Sequence, residues 1–139
     1  MTDFEKIKSA ADADIRTYSL DGQWQVLVGK TDAANDYLSL CLAQPYDYWF
    51  HIHSMPGSHV ILKARKDMEP DRKILAQAGA IAAYHSKARN AGSVFVSWTR
   101  ARHVSKPKGA RPGTVQIRRQ NLIKVRPALP PDVSEAAPS

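Results

Sequence analysis

Cysteine is nearly absent. One residue, Cys41, among 139 excludes an internal disulfide and any metal site built from several thiolates. It fits a reducing, cytoplasmic setting. Within the apolar stretch Leu38–Ala43 it reads as a small core residue rather than a nucleophile. No apolar run approaches the roughly 20 residues of a membrane span. The segment MTDFEKIKSAADADIR lacks the apolar centre of a signal peptide, so neither membrane insertion nor standard secretion is expected. Hydrolase and nucleotide-binding signatures are missing too: no Gly-x-Ser-x-Gly, no His-Glu-x-x-His, no Gly-x-Gly-x-x-Gly and no Walker A ending.

The most uneven shortage is of acids. Residues 72–131 hold 13 Lys+Arg and not one Asp or Glu, whereas residues 1–71 hold 7 Lys+Arg against 11 acids. The overall +7 therefore conceals a segment of +13. Such segregation points to a polyanionic partner. The plainer alternative is a basic surface that only aids solubility.

What is present suffices for a fold. At 43% hydrophobic and 139 residues the chain suits one domain with one core. Ile15–Leu20 and Gln23–Val28 flank Asp21-Gly22, the pattern of a β-hairpin. Residues 31–37 read as a loop in which Asn35 or Asp36 can cap a helix. Leu38–Ala43 is ambiguous between strand and helix. Tyr48–Ile52 and His59–Leu62 read as strands. The clearest helix spans 71–90, capped by Asp71, with Ile74, Leu75, Ala78, Ile81, Ala82 and His85 on one face. Val94–Trp98 is a strand, with Arg102–Val104 as its extension. Residues 105–113 (SKPKGARPG) break regular structure. Thr114–Ile117 and Leu122–Val125 are expected to form a second hairpin. These elements predict one α+β domain, a mainly antiparallel sheet packed against one long helix. It is bounded by a lead-in over 1–14 and a disordered tail over 128–139, leaving 15–127 as the domain.

Two constellations carry chemistry. On a strand, Asp47, Trp49, His51 and His53 share one face, with Tyr48, Phe50 and Ile52 on the other. Three readings of the first face stay open. It can be a nucleic-acid platform, Trp49 stacking on a base, the imidazoles donating to phosphate or 2′-OH and Asp47 orienting a neighbour. It can be a metal site of His51, His53 and His59. It can be purely structural, with Asp47 and His51 hydrogen-bonded in the interior and Trp49 as filler. The second constellation is the loop carrying Lys106, Lys108 and Arg111 among Pro107, Gly109, Pro112 and Gly113, a composition suited to cradling phosphates. Arg100 and Arg102 lie just upstream. Carboxylates are scarce near the histidines, which weighs against paired-acid catalysis.

The ordered set Gly29-Lys30, Asn35-Asp36-Tyr37-Leu38, Asp47-Tyr-Trp49-Phe-His51 and Pro56-Gly-Ser-His-Val60 continues into a helix over 76–86. It ends with Val104-Ser-Lys106-Pro-Lys108-Gly and Arg111-Pro-Gly113-Thr-Val115. From about Arg16 to Pro127 the chain resembles the NFACT-R domain, the RNA-binding module of NFACT proteins. Those proteins act with stalled large ribosomal subunits and tRNA in ribosome-associated quality control. The resemblance implies an RNA-binding module for tRNA or rRNA, working in the cytoplasm and with the ribosome as a partner. It implies no established catalysis and no cofactor. Asp47, Trp49, His51, Ser58, His59, Lys106, Lys108 and Arg111 match the family's motif and are the candidate RNA-binding residues, with Gly57 and Gly113 as backbone positions. Arg100 and Arg102 join as phosphate contacts. Two alternatives remain: a His-dependent RNA-processing enzyme, metal-assisted or not, and a protein-interaction module docking on a ribosomal partner.

Overall fold

The computed structural model describes residues 14–131, so the expected lead-in and most of the expected tail lie outside the described residues. Among the described residues, eight strands and two α-helices form one α+β domain. The strands are β1 (Ile15–Leu20), β2 (Trp24–Gly29), β3 (Tyr48–Ile52), β4 (Val60–Leu62), β5 (Val94–Arg100), β6 (Val104–Ser105), β7 (Gln116–Ile117) and β8 (Asn121–Val125). The helices are α1 (Asp32–Tyr37) and α2 (Arg72–Tyr84). Six strands make one antiparallel sheet in the order β1-β2-β4-β3-β5-β8, and β6 and β7 form a separate ribbon.

The first hairpin is as the sequence predicts. Leu20 pairs with Trp24, and Asp21 and Gly22 both adopt left-handed backbone, as a type I′ turn requires. The long helix starts where expected, because the Asp71 carboxylate accepts from the Ile74 amide at 2.9 Å. It ends at Tyr84 rather than 90. The Ser86 hydroxyl donates to the Ala83 carbonyl and accepts from the Ala88 amide, closing the helix with local bonds. His85 leaves the helix and bonds the Tyr18 hydroxyl at 2.8 Å, tying α2 to β1.

Three other expectations are corrected. The expected loop over 31–37 is helical over 32–37, capped by Thr31, whose hydroxyl accepts from Ala34; of the two readings open for 38–43 the helical one holds, as a π-turn over Leu38–Leu42. That turn leaves Cys41 exposed rather than in the core. The C-terminal strands are not each other's partners. β7 pairs with β6 and β8 pairs with β5, because the Pro/Gly segment 106–113 is itself part of the β6–β7 connection. At the start of the expected tail, the Ala128 amide bonds the Ala80 carbonyl and Leu129 packs on the core.

The sheet buries one face under α2 and part of the other. On one, Tyr48, Phe50 and Ile52 meet Ile74, Ala78, Ile81 and Ala82 of α2. Small residues on α2 let β8 approach, so that a Cβ on Gly79 would touch Ile123 and Val125 at 3.4 Å. On the other face a smaller cluster of Leu38, Trp49 and Ile61 lies beneath the π-turn and the β6–β7 ribbon. Val104, Val115 and Ile117 of the ribbon and its flanks close over it.

Candidate nucleic-acid interface

β3 separates the two sets of side chains as its alternation predicts, but the set carrying Trp49 does not face water. Asp47, Trp49 and His59 are 2%, 3% and 2% exposed. The Asp47 carboxylate accepts from the amides of Gln44 and Ala64 and pairs with Lys63. It fixes the entry to β3 and has no open side for a ligand. Trp49 borders a cleft with His51 and His53 but is almost wholly covered. It fills the second core and donates from Nε1 to Ser39 Oγ at 2.9 Å. Of the three readings open for this face, the exposed platform does not fit Asp47, Trp49 and His59, because covering elements far along the chain, 38–42 and 104–117, bury them.

The burial builds a directional hydrogen-bond chain. An indole N–H only donates, so Ser39 Oγ must accept from Trp49. Its own proton then goes to His59 Nδ1, 2.7 Å away. His59 Nε2 lies 3.1 Å from the Gly113 carbonyl, which only accepts. Both contacts are satisfied by one neutral tautomer, with the proton on Nε2. Burial, reinforced by the nearby His51, lowers the His59 pKa to about 4, which keeps that neutral form at neutral pH.

The same chain end holds the basic loop. The Gly113 amide donates to Asp36 Oδ1 at 3.0 Å. Gly113 has φ +85°, and a Cβ on it would lie 2.7 Å from Asp32 Oδ1. Lys106 Nζ reaches Asp36 Oδ2 at 3.0 Å, the Thr114 carbonyl at 2.9 Å and the Arg111 carbonyl. The Lys106 ammonium is thus occupied by three protein oxygens and holds the loop in place. Lys108 and Arg111 remain exposed on the loop it holds.

Around this loop three clefts share walls. The largest, about 620 Å³, lies between α1, the 56–58 turn and the end of α2, and includes Lys30, Ser58, Lys87 and Arg89. Asp32, Asn35, Pro56 and Gly57 divide it from a second cleft, which Arg111 and His51 line. His51, Gly113 and Thr114 also border a third, with His53, Ser97 and Gln120. Close approach at Gly57 closes this region, since a Cβ there would lie 2.8 Å from Ile52 and 2.9 Å from Ser86. His51 is half-buried and stacks on Trp49 with centroids 5.8 Å apart; burial lowers its pKa, against hydrogen bonding to the Ile52 and Gly57 backbone.

The arrangement separates the expected residues into groups. His51, Ser58, Lys108 and Arg111 gather at the clefts or on the loop beside them. Arg100 and Arg102 do not. Arg100 pairs with Tyr48 at the other end of β3, lies over the Tyr48 ring at 4.0 Å, and contacts the Tyr46 carbonyl and Glu69. Arg102 is exposed near the Tyr46 ring. A metal held by His51, His53 and His59 does not suit this geometry, because both His59 nitrogens already serve Ser39 and Gly113 and His53 Nδ1 lies 2.9 Å from Ser97 Oγ. Local sequence does not single out Lys30, Lys87 and Arg89. Lys30 stands in the Gly29-Lys30 pair of the family pattern without a role assigned to it, Lys87 carries no motif, and only the fold brings the two to one cleft.

Residues 15–119 match the family model described as NFACT protein RNA binding domain. The chain belongs to the NFACT-R family. A curated relative, the Rqc2 homolog RqcH of Bacillus subtilis, is 41% identical over 113 residues, covering 81% of this chain and 19% of that protein. The Streptococcus suis RqcH is 37% identical over 112 residues, covering 81% and 20%. This NFACT-R chain therefore spans about a fifth of the length of the curated relatives it matches. Among solved structures, the C-terminal part of the fibronectin/fibrinogen-binding protein of Streptococcus suis superposes with a TM-score of 0.76 at 36% identity. That match covers 83% of this chain and 46% of the other. The NFACT-R fold is thus shared with solved relatives. No helix among the described residues is long and apolar enough to cross a membrane.

Proposed function

We propose that this NFACT-R domain binds structured RNA, tRNA or rRNA, through the clefts around the 106–113 loop, in association with the ribosome and translation quality control in the cytoplasm. One observation carries the reading. The loop is clamped at its base by Lys106, Asp36 and His59, so Lys108 and Arg111 project from a fixed frame beside clefts edged with Lys30 and Lys87. Preorganised cations lose less freedom on binding than cations on a loose loop. Lys108, Arg111, Lys30 and Lys87 supply phosphate contacts, while His51 and Ser58 offer polar groups to phosphate or 2′-OH. Asp47, Trp49, His59 and Lys106 act from behind as positioning residues.

Crosslinking in cells followed by sequencing of the bound RNA tests this. Recovery of tRNA or rRNA, with a loss on the double substitution Lys108→Ala and Arg111→Ala, is the expected result. Protein crosslinks without RNA crosslinks would instead favour a docking module for a protein partner.

A further inference from the structure

The β6–β7 ribbon covers the sheet face opposite α2 only in part. It lies over Trp49, and Thr99, paired with Trp49, donates to the Arg118 carbonyl at its end. Further along β5 and β8 the same face is open. Phe95 and Leu122 there are each 49% exposed. Phe95 pairs with Lys124 across the strands and Leu122 with Ser97, while the alternate residues Val96, Ile123 and Val125 turn to α2. The Lys124 ammonium lies 5.9 Å from the Phe95 ring centroid. Beside this patch the His53 amide bonds the Phe95 carbonyl at 3.0 Å, and His53, Ser97 and Gln120 also line the third cleft. The patch is thus continuous with the clefts.

Single exposed apolar residues are ordinary on a protein surface. Here two large ones adjoin, with a lysine over one ring, in a segment where 72–131 contains no carboxylate. That charge suits a polyanion and repels nothing but cations. A phenyl ring on an open sheet face, flanked by a cation, has the elements of a base-stacking platform. A base within a duplex has both faces covered by its neighbours, so only an unpaired one can use the ring.

Resting on the RNA reading above, we propose that Phe95 stacks an unpaired base of the bound RNA, with Lys124 on the adjoining phosphate. This extends the interface from the clefts across the open part of the sheet to its edge strand β8. The ring that stacks is Phe95, and Trp49 supports the sheet beneath the ribbon.

The test uses a short labelled RNA without self-complementarity, the same strand annealed to its complement, and the whole chain as wild type, Phe95→Ala, Phe95→Trp and Lys124→Ala, each at several salt concentrations. Phe95→Ala is expected to weaken unpaired RNA about 5- to 150-fold, the range for one base–aromatic stack, with the salt slope unchanged. Phe95→Trp is expected to retain affinity, and duplex binding is expected to stay level. Lys124→Ala is expected to reduce the slope by about one. If wild type binds RNA in a salt-dependent way and Phe95→Ala binds the unpaired strand equally well, or loses both RNAs alike, the platform is overturned and the RNA reading stands. If wild type binds tRNA but neither short RNA, the platform alone is overturned; if it binds no RNA at all, both fall.

Discussion

The His59 imidazole donates to the Gly113 carbonyl across 54 residues of chain, at 3.1 Å, and its other nitrogen takes the Ser39 hydroxyl proton. Protonating Nδ1 would force the Ser39 hydroxyl to turn its proton away from His59 and place a charge in the interior. The His59 pKa falls from the usual 6.5 to about 4 in the folded state, so between those values the unfolded chain takes up a proton that the folded chain refuses. Stability should therefore fall as pH drops through this window. The contribution is on the order of 3 kcal/mol, fully present above pH 6.5 and fully lost below about pH 4. His59→Gln lacks it. The stability advantage of wild type over His59→Gln, measured by denaturant unfolding, is expected to shrink between pH 6.5 and 4. A constant difference would contradict the tautomer assigned to His59.

Lys106 and Lys108 are two residues apart and should behave oppositely. Lys106→Ala strips a partner from Asp36 and from two carbonyls, so it should destabilise the fold by about 1–3 kcal/mol and loosen the loop. Lys108→Ala should leave unfolding unchanged and reduce the salt dependence of RNA binding by about one unit of slope. Thermal melts and binding isotherms at several salt concentrations separate the two. If the double variant Lys106→Ala with Lys108→Ala binds tRNA as wild type does, the loop is not part of the interface.

Trp49→Ala should cost about 3–5 kcal/mol, the range for emptying a large aromatic site. Trp49→Phe keeps most of the volume and loses only the donor to Ser39. It should therefore remain folded and hold RNA with nearly wild-type affinity. A large loss of affinity in a fully folded Trp49→Phe would mean that the indole touches the ligand.

Gly113→Ala places a Cβ at positive φ and close to Asp32, so it should destabilise by about 1–3 kcal/mol and lower RNA affinity together. A binding defect without a change in melting temperature would show that Gly113 serves the ligand rather than the frame.

Much of this was legible from the residues. Strict alternation in Tyr48–Ile52 assigns Phe50 and Trp49 to opposite faces, and Asp21-Gly22 and Asp71 mark a turn and a helix start. What alternation does not say is whether a face is covered. The cover over Trp49 comes from a π-turn and a two-residue strand pair, both too short for a periodic signal. Local sequence is likewise silent on Lys106, whose Asp36 partner stands 70 residues earlier. The expected pairing of Thr114–Ile117 with Leu122–Val125 failed for a related reason. Neighbouring strand-like segments compete with distant ones, and Ile123 and Val125 had a better surface on α2.

The anchoring of the loop also sets an order of events. Asp36 and His59 wait for Gly113, whose amide and carbonyl they hold, and the loop's strands β6 and β7 fall between β5 and β8 late in the chain. During synthesis the first hairpin, β3, β4 and α2 can pair from earlier contacts, but the groups that frame the cations stay unmatched until the ribosome has released residue 114. The frame around Lys108 and Arg111 therefore closes only through contacts spanning 54 and 77 residues of chain, and no local segment can build it alone.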